Sequence, residues 1–568
     1  MAENVLYYGD NLEVLKKYIA DDSIGLVYLD PPFNSNRDYN VIFGESGDPN
    51  ADAQRMAFGD TWHWTKQTEE AFNELGQIAP PRLVEMMNGF VSMLGRNDLT
   101  AYLMMLGGRL VQLHRVLKPT GALFLHCDPT ASHYIKVMLD AIFGRDKMIN
   151  QFTWKRSSAH SDAKQGAKHA GRISDIIFWY AKGDEWTHNI QYIPYSKDYI
   201  KSTYNHTEEG TKRRYALDNL TGPGGKRKGN PEYELMGVTR YWRYSKENMD
   251  VLLREGRIVQ DKPGKVPRYK RYLDEMPGVA LQDIWTDINP VQGRSKEWLG
   301  YPTQKPIKLL ERIVKMASNP GDKVLDPFCG CGTTIAACES LGNRNWIGID
   351  ITFLATSMIE NRLHTQFPGS QYRLIGQPNT ISGARELARQ DSEEFEYWAL
   401  RLVGARPAEG EQKKGADGGT DGVLFFPDPK TRKQTRVSVQ VKGWKRKVGP
   451  ESVRAFGRVI ERDKAAIGLF LTLSEPTKAM QIEAASVGKY KVEYMGGELE
   501  YPRLQILSIE GLLEEKESAK LPLGITSGLK PAEKFRPKPE DFTQNMFVTP
   551  PMLDDDEDDF SDDQEDDE

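Results

Sequence analysis

VLDPFCGCGTT, residues 324–334, decides the fold. A short apolar run beginning at Lys323 ends with Val324 and Leu325 and stops at Asp326-Pro327. Gly330 and Gly332 then make a sharp turn before the helical periodicity of Thr333 to Leu341. A second apolar run, Trp346 to Ile349, closes at Asp350, 24 residues beyond Asp326. Strand, glycine turn, helix and strand form a βαβ unit, and such units stack into a parallel sheet whose ligands sit at the carboxyl ends of the strands. Glycines in the turn let the backbone approach a nucleoside, and an acidic residue at the next strand end can accept hydrogen bonds from ribose hydroxyls. The third glycine of the dinucleotide fingerprint is missing, and a tight βα corner that binds nothing has the same appearance.

Working outward, Ser23 to Leu29 (SIGLVYL) is an aliphatic run too short for a helix, and it stops at Asp30-Pro31-Pro32-Phe33. It reads as a buried parallel strand. Asp98 to Leu117 has helical periodicity, and Ala122 to His126 after Lys118-Pro119-Thr120-Gly121 reads as a further strand. Thr303 to Ala317 is an amphipathic helix with Pro306 expected in its first turn. The expected fold class is α/β, a doubly wound, Rossmann-like sheet.

Asp30-Pro31-Pro32-Phe33 carries chemistry of its own. Two prolines fix φ and remove two N–H donors, so the loop offers carbonyl oxygens, a carboxylate and an aromatic face. Those groups suit a planar substrate bearing an NH₂: acceptors for both hydrogens and a ring for stacking. An exocyclic base amine is a poor nucleophile because its lone pair is delocalised. Acceptors that hold its N–H bonds favour the pyramidal nitrogen needed to attack a methyl group, and orientation supplies much of the rest. The alternative is a strand-terminating turn with a capping Asp.

Together the two turns resemble the amino-methyltransferases of DNA that use S-adenosylmethionine, with DPPF preceding DPFxGxGTT, the order of their β group. Gly9-Asp10, His114 to Pro119, Leu125 to Asp128 and Pro302 to Pro306 match as well, so the likeness covers residues 1 to about 365. The resemblance implies that Asp30 and the carbonyls of Pro31 and Pro32 hold the target amine while Phe33 stacks on the base. It implies that Phe328, Gly330, Gly332 and Thr333 line the methionine and sugar end of the cofactor, Asp350 its ribose and Asp10 its adenine, with Gln304 and Lys305 near its carboxylate. Cys331 stands where the family usually has Ser, and Tyr301 where it usually has His. Asp as the first motif residue leans towards adenine N6 over cytosine N4. The four cysteines, Cys127, Cys329, Cys331 and Cys338, include no Pro-Cys pair, so a covalent cytosine-C5 route lacks a nucleophile.

The 568 residues carry a net charge of −6. The terminal stretch 554–568 (DDDEDDFSDDQEDDE) accounts for −12 of it, leaving +6 on residues 1–553. Between Arg145 and Met276 there are 26 Lys and Arg against 17 Asp and Glu, interleaved with Tyr and Trp. A polyanion is the natural partner, and double-stranded DNA fits the resemblance. The base must be flipped out of the helix at a few kcal/mol. Residues 145–298 are therefore expected to form the target-recognition region, with Lys155, Arg156 and the clusters 212–214 and 226–228 on phosphates.

Residues 391–515 form a second α/β segment. Asp421 ends Gly415-Ala416-Asp417-Gly418-Gly419-Thr420-Asp421, a strand Val423 to Phe426 follows, and Arg436 to Lys442 alternates so that Gln440 and Lys442 share a face. The pattern resembles the Mrr-like branch of the restriction endonuclease fold. It implies Asp421 and Gln440 as Mg²⁺ ligands and Lys442 as the residue that orients or activates water. Asp plus Gln in place of Asp plus Glu keeps open a domain that only binds DNA.

The expected division is 1–144 and 299–375 for the two methyltransferase halves, 145–298 for the insert, 376–390 for a linker, 391–515 for the endonuclease-like domain and 516–568 for a disordered acidic tail. No apolar run approaches the roughly 20 residues of a membrane span, Met1 to Gly9 lacks a secretory pattern, and four cysteines are too few for a disulfide framework. A cytoplasmic restriction-modification protein is expected, adenine-N6-specific and with a metal-dependent endonuclease. A modification-only enzyme, and a DNA-binding regulator with a degenerate methyltransferase fold, are the alternatives. Such a chain is compatible with a homodimer and with a separate restriction subunit; it has no GKT or GKS motif for ATP.

Overall fold

Nine strands form the central sheet of the computed structural model. They are β1 (Asn4–Tyr8), β2 (Ile24–Leu29), β3 (Leu117–Cys127), β4 (Met148–Lys155), β5 (Ser174–Ala181), β6 (Ile284–Trp285), β7 (Lys323–Asp326), β8 (Asn345–Asp350) and β9 (Tyr372–Ile375), in the order β6-β4-β5-β3-β2-β7-β8-β1-β9. The structure describes residues 4–32, the backbone of 38–44 and 52–59, single positions between 64 and 76, 79–157, 168, 170–293, 295–301, 303–408, 419–428, 433–443, 448–494 and 497–522.

The strands β3, β2, β7, β8, β1 and β9 run parallel, each paired with its neighbour. Both faces are covered, as a parallel sheet requires. On one face, α1 (Asn11–Tyr18), α2 (Asp98–Val116) and α3 (Ser132–Phe143) bury Leu15, Leu103, Leu106 and Met138 against Val27, Leu29 and Leu125. On the other, α4 (Ile307–Ala317), α5 (Thr333–Leu341) and α6 (Phe353–Gln366) bury Leu310, Ile313, Ile335 and Ile359 against Leu26, Phe124 and Val324. The expected α/β doubly wound class is the one observed.

The segment 145–298 does not leave the sheet at 145. β4 and β5 pair antiparallel with each other and β5 with β3, so residues 148–155 and 174–181 are part of the central layer. Ile177, Phe178 and Trp179 are buried there, an apolar run whose strand character the basic neighbourhood obscures. The separate lobe hangs from a neck where Tyr192–Ile193 pairs with Val279–Ala280. It has its own small core of Leu220, Leu235, Trp242, Met249 and Ile258.

The C-terminal sheet is β10 (Arg406–Pro407), β11 (Gly422–Pro427), β12 (Gln434–Lys442), β13 (Ile467–Thr472) and β14 (Leu504–Ser508), in that order. The expected linker 376–390 is helical and packs with the C-terminal domain: α7 (Ile381–Gln390) buries Ala384 and Ala388 in the same core as α8 (Ser392–Leu402) and β11 to β13. α9 (Pro450–Arg462) covers the opposite face through Val453, Phe456 and Ile460. Of the expected tail 516–568, residues 523–568 lie outside the described residues, whereas 516–522 pack against β14, where Glu517 Oε2 accepts from the Ser508 N–H at 2.6 Å and Gln505 Oε1 from the Lys520 N–H at 2.8 Å. No described helix is long and apolar enough to cross a membrane.

Candidate active site

The carboxyl ends of β1, β2, β7 and β8 meet around a cavity of about 270 Å³. Gly9, Asp10 and Asn11 line it from β1; Tyr28, Asp30, Pro31 and Pro32 from β2; Asp326 to Cys331, Thr333 and Thr334 from β7 and its turn; Asp350 to Thr352 from β8; Tyr301 and Thr303 to Lys305 from the loop before α4. The glycine corner and the DPP loop thus face one crevice. Phe33 lies outside the described residues.

The glycine corner needs its glycines. Gly330 and Gly332 have φ of +48° and +75°, and a Cβ on Gly332 would come within 2.8 Å of Ile359 Cγ1. The turn is held by two carboxylates. Asp326 Oδ1 accepts from the Phe328 N–H at 3.0 Å and Oδ2 from the Thr334 hydroxyl at 2.5 Å. Asp350 Oδ2 accepts from the Gly330 N–H at 2.9 Å, while Oδ1 accepts from the Thr352 N–H and hydroxyl. Burial drives both carboxyls upward, Asp326 to about 7 and Asp350 to about 6.

Asp10 caps α1 by accepting from the Leu12 and Glu13 N–H groups, and its second oxygen pairs with Arg109 at 2.6 Å. Arg109 also donates to Asn11 Oδ1, and Asn11 donates to the Pro327 carbonyl at 2.7 Å. This chain of contacts ties the α1 cap to the glycine corner.

Asp30 is bound on one side only. Oδ2 pairs with Lys305 Nζ, whereas Oδ1 is buried with no hydrogen-bond partner among the described residues. A buried unpaired carboxylate oxygen is unfavourable by roughly 1 to 3 kcal/mol and persists where a ligand satisfies it. The cavity contains such an acceptor beside a glycine corner, so its donors and shape fit a nucleoside-like cofactor and an amine together.

Gln304 has a different placement from Lys305. Its Nε2 donates to the Glu297 carbonyl at 2.7 Å and its Oε1 accepts from the Leu299 N–H at 2.8 Å, so it braces the loop. α4 begins at Ile307 with Pro306 before it, because Thr303 to Lys305 turn into the cavity instead of continuing the helix. Sequence reasoning does not name Tyr28, Asn11 or Arg109 as wall residues, whereas Tyr301, which stands where the family usually has His, does line the cavity. Tyr28 has a signal, since it lies two residues from Asp30 on one strand face. Its hydroxyl shares a 3.0 Å hydrogen bond with His126 Nδ1, and His126 Nε2 lies 3.1 Å from Asp175 Oδ2, all buried.

In the lobe, Arg213 forms ion pairs with Asp274 and Glu275, and Arg214 donates to the Tyr204 and Ile200 carbonyls. Two of the three cations in the 212–214 cluster are thus engaged within the lobe. Lys226, Arg227 and Lys228 sit exposed on a 3₁₀ turn.

In the C-terminal sheet, Asp421 precedes β11 and its Oδ2 accepts from the Val441 N–H at 2.7 Å. Gln440 is buried opposite Phe470 of β13, and Lys442 lies opposite Thr472, partly exposed. No group of three or more His, Cys, Asp or Glu side chains that could hold a metal occurs among the described residues.

A doubly wound sheet with a glycine corner and a half-partnered DPP carboxylate in one cavity defines a methylase of the Rossmann-like class. The chain belongs to the DNA methylase family: that family's model matches residues 24–359. A restriction endonuclease model matches residues 387–498, so the chain fuses the two. Among its relatives, the Type II methyltransferase M.EcaI of Enterobacter cloacae is 32% identical over 266 residues, 46% of this chain and 57% of that one. The Type III restriction-modification enzyme StyLTI Mod subunit of Salmonella typhimurium is 25% identical, covering 61% of this chain and 51% of its own. The chain spans about half the length of these relatives. Among solved structures, TTHA0409 of Thermus thermophilus complexed with S-adenosyl-L-methionine is 16% identical, covers 66% of this chain and all of its own, and has a TM-score of 0.32. The cytosine-N4-specific PvuII DNA methyltransferase is 13% identical, covers 63% and 86%, and has a TM-score of 0.31.

Proposed function

We propose that this protein methylates the N6 amine of adenine in double-stranded DNA, using S-adenosylmethionine. The observation that carries the reading is Asp30 Oδ1, buried with no partner among the described residues, in the cavity that Gly330, Cys331 and Thr333 also line. The cofactor supplies an electrophilic methyl on a sulfonium.

Asp30 Oδ1 accepts an N–H of the target amine, and Lys305 fixes the other oxygen so that the acceptor points one way. Pro31 and Pro32 bring carbonyls without competing donors. Holding both N–H bonds turns the nitrogen lone pair towards the methyl and replaces a bimolecular encounter with an oriented one. Phe328, Gly330, Gly332 and Thr333 would enclose the methionine and sugar end of the cofactor. Asp350 would meet the ribose and Asp10 the adenine, with Lys305 shared between the two substrates and Gln304 bracing its loop.

The lobe 194–278 would read the site and grip phosphates. The endonuclease domain would cleave DNA with Mg²⁺ held by Asp421 and Gln440 and with Lys442 at the water, whether alone, as a homodimer or beside a separate restriction subunit. A second reading, a domain that only binds DNA, is favoured by one observation: the Asp421 carboxylate already accepts from the Val441 N–H.

The test is to sequence modified bases in DNA from cells expressing the chain. N6-methyladenine at one short motif is expected. N4-methylcytosine would overturn the adenine assignment, and unmodified DNA would overturn the whole reading.

A further inference from the structure

Tyr8 and Phe353 belong to the methylase half, yet the endonuclease half covers them. Their rings stack at 3.7 Å between centroids, and Phe353 is buried in the same core as Trp398, Leu400 and Val439. Glu394, on α8 of the endonuclease half, reaches into this junction. Its Oε2 accepts from the Phe353 N–H at 3.2 Å and from the Tyr8 hydroxyl at 3.4 Å.

Both donors adjoin the cofactor cavity. Phe353 opens α6 directly after Ile351 and Thr352, which line the cavity beside Asp350. Tyr8 precedes Gly9, whose N–H donates to the Asp350 carbonyl at 2.9 Å, and Asp10 follows. One carboxylate from the second domain therefore bridges the two strand ends that carry Asp10 and Asp350. Acidic groups are favoured at the N-terminus of a helix, which is where Glu394 meets α6. Burial, with Asp391 and Asp350 nearby, raises its carboxyl to about 7. Farther along the same interface, Arg401 of α8 pairs with Glu360 of α6 at 2.5 Å.

We propose that Glu394 is a positioning residue for the methylase: through it the endonuclease domain holds the adenosine-side wall of the cofactor cavity in shape, so that cofactor binding and the packing of α8 are coupled. This rests on the reading of the cavity as an S-adenosylmethionine site. Coupling of this kind is reciprocal, since whatever α8 contributes to cofactor affinity the cofactor returns to α8.

The experiment measures S-adenosylmethionine affinity of the full chain by calorimetry, with cofactor KM and kcat on DNA alongside. Glu394→Ala should weaken binding about tenfold, the size of one lost hydrogen-bond acceptor. Its KM should rise in step, with kcat at saturating cofactor within about twofold of the parent. Glu394→Gln keeps an acceptor oxygen and should recover most of the loss. Arg454→Ala, which breaks the Arg454–Glu483 pair elsewhere in the endonuclease half, should change nothing. Should Glu394→Ala not fold, Tyr8→Phe removes one donor and keeps the stack, with about a threefold loss expected. In the parent chain, added cofactor should slow amide exchange across 392–402. A parent that binds cofactor while the Glu394 and Tyr8 variants bind it equally well, or while 392–402 exchanges at an unchanged rate, overturns the proposal alone. A parent that binds none overturns the cofactor reading and the proposal with it.

Discussion

Asp30 and Asp421 are both single carboxylates following or preceding a strand in a motif read as catalytic, but their surroundings differ. Asp30 has one oxygen on Lys305 and the other buried in a cavity with no partner among the described residues. Asp421 has an oxygen on the Val441 N–H, and its neighbour Gln440 packs against β13 opposite Phe470. The first is a group waiting for a hydrogen-bond donor, and the second is a group already employed in holding two strands together. A motif specifies which residue types are present, whereas the structure shows which of their atoms remain uncommitted.

The contrast is sharpest in its largest predicted effect. Asp30→Ala should lower methyl incorporation from labelled cofactor by about 10³-fold or more, because the oriented acceptor is removed from the reacting nitrogen. The same variant should leave any DNA cleavage unchanged. Lys442→Ala should do the reverse if the endonuclease half is active. Loss of both activities in either variant would mean that the two sites are not separate.

A smaller effect concerns the buried carboxyl that supports the glycine corner. Asp326 ordinarily would titrate near 3.8 but titrates at about 7 in the fold. Folding therefore takes up a proton between those values. The stabilising contribution is complete below about 3.8 and is lost as pH rises through about 7. Asp326→Asn has no such proton to lose, so the stability of the parent relative to the variant should fall by about 3 kcal/mol between pH 5 and pH 8. Urea unfolding across that range, followed at the methylase transition, measures it. A flat difference would show that Asp326 stays ionised throughout.

The smallest effect tests the lobe. Alanine at Lys226, Arg227 and Lys228 should reduce the slope of log affinity against log salt by up to about 3, near 0.9 for each phosphate no longer neutralised. Arg213→Ala should leave the slope unchanged, because its guanidinium is paired with Asp274 and Glu275. Equal slopes for all variants would place the DNA on another surface.

Much of this is legible in the sequence. The strands around Leu26, Leu325 and Ile347, and the helix after Gly332, follow from local apolar runs and turn residues, and these fix the cavity's floor. What stays hidden depends on partners distant in the chain. Arg109 meets Asp10 from 99 residues away, and Lys305 meets Asp30 from 275 away. No local pattern reports such pairs. The strands 148–155 and 174–181 read as part of a basic insert, because charge averaged over the whole segment masks the six-residue apolar run Ile176 to Ala181. The helical character of the expected linker is legible, but not its packing: α7 is polar on one face, and only the core of the C-terminal sheet shows what Ala384 and Ala388 cover.

The neck of the lobe has a consequence for how such proteins diversify. Residues 194–278 enter and leave through a two-by-two ladder, and a Cβ on Gly278 would come within 2.2 Å of the Ile193 carbonyl oxygen, so the two crossings are pressed together. Neither crossing residue lines the cavity that holds Asp30. A recombination event that replaced the stretch between them would exchange the lobe while leaving the residues that line the cavity in place. On the proposed reading of the lobe, two lineages of this architecture would then differ in the DNA words they mark and still share one unaltered engine.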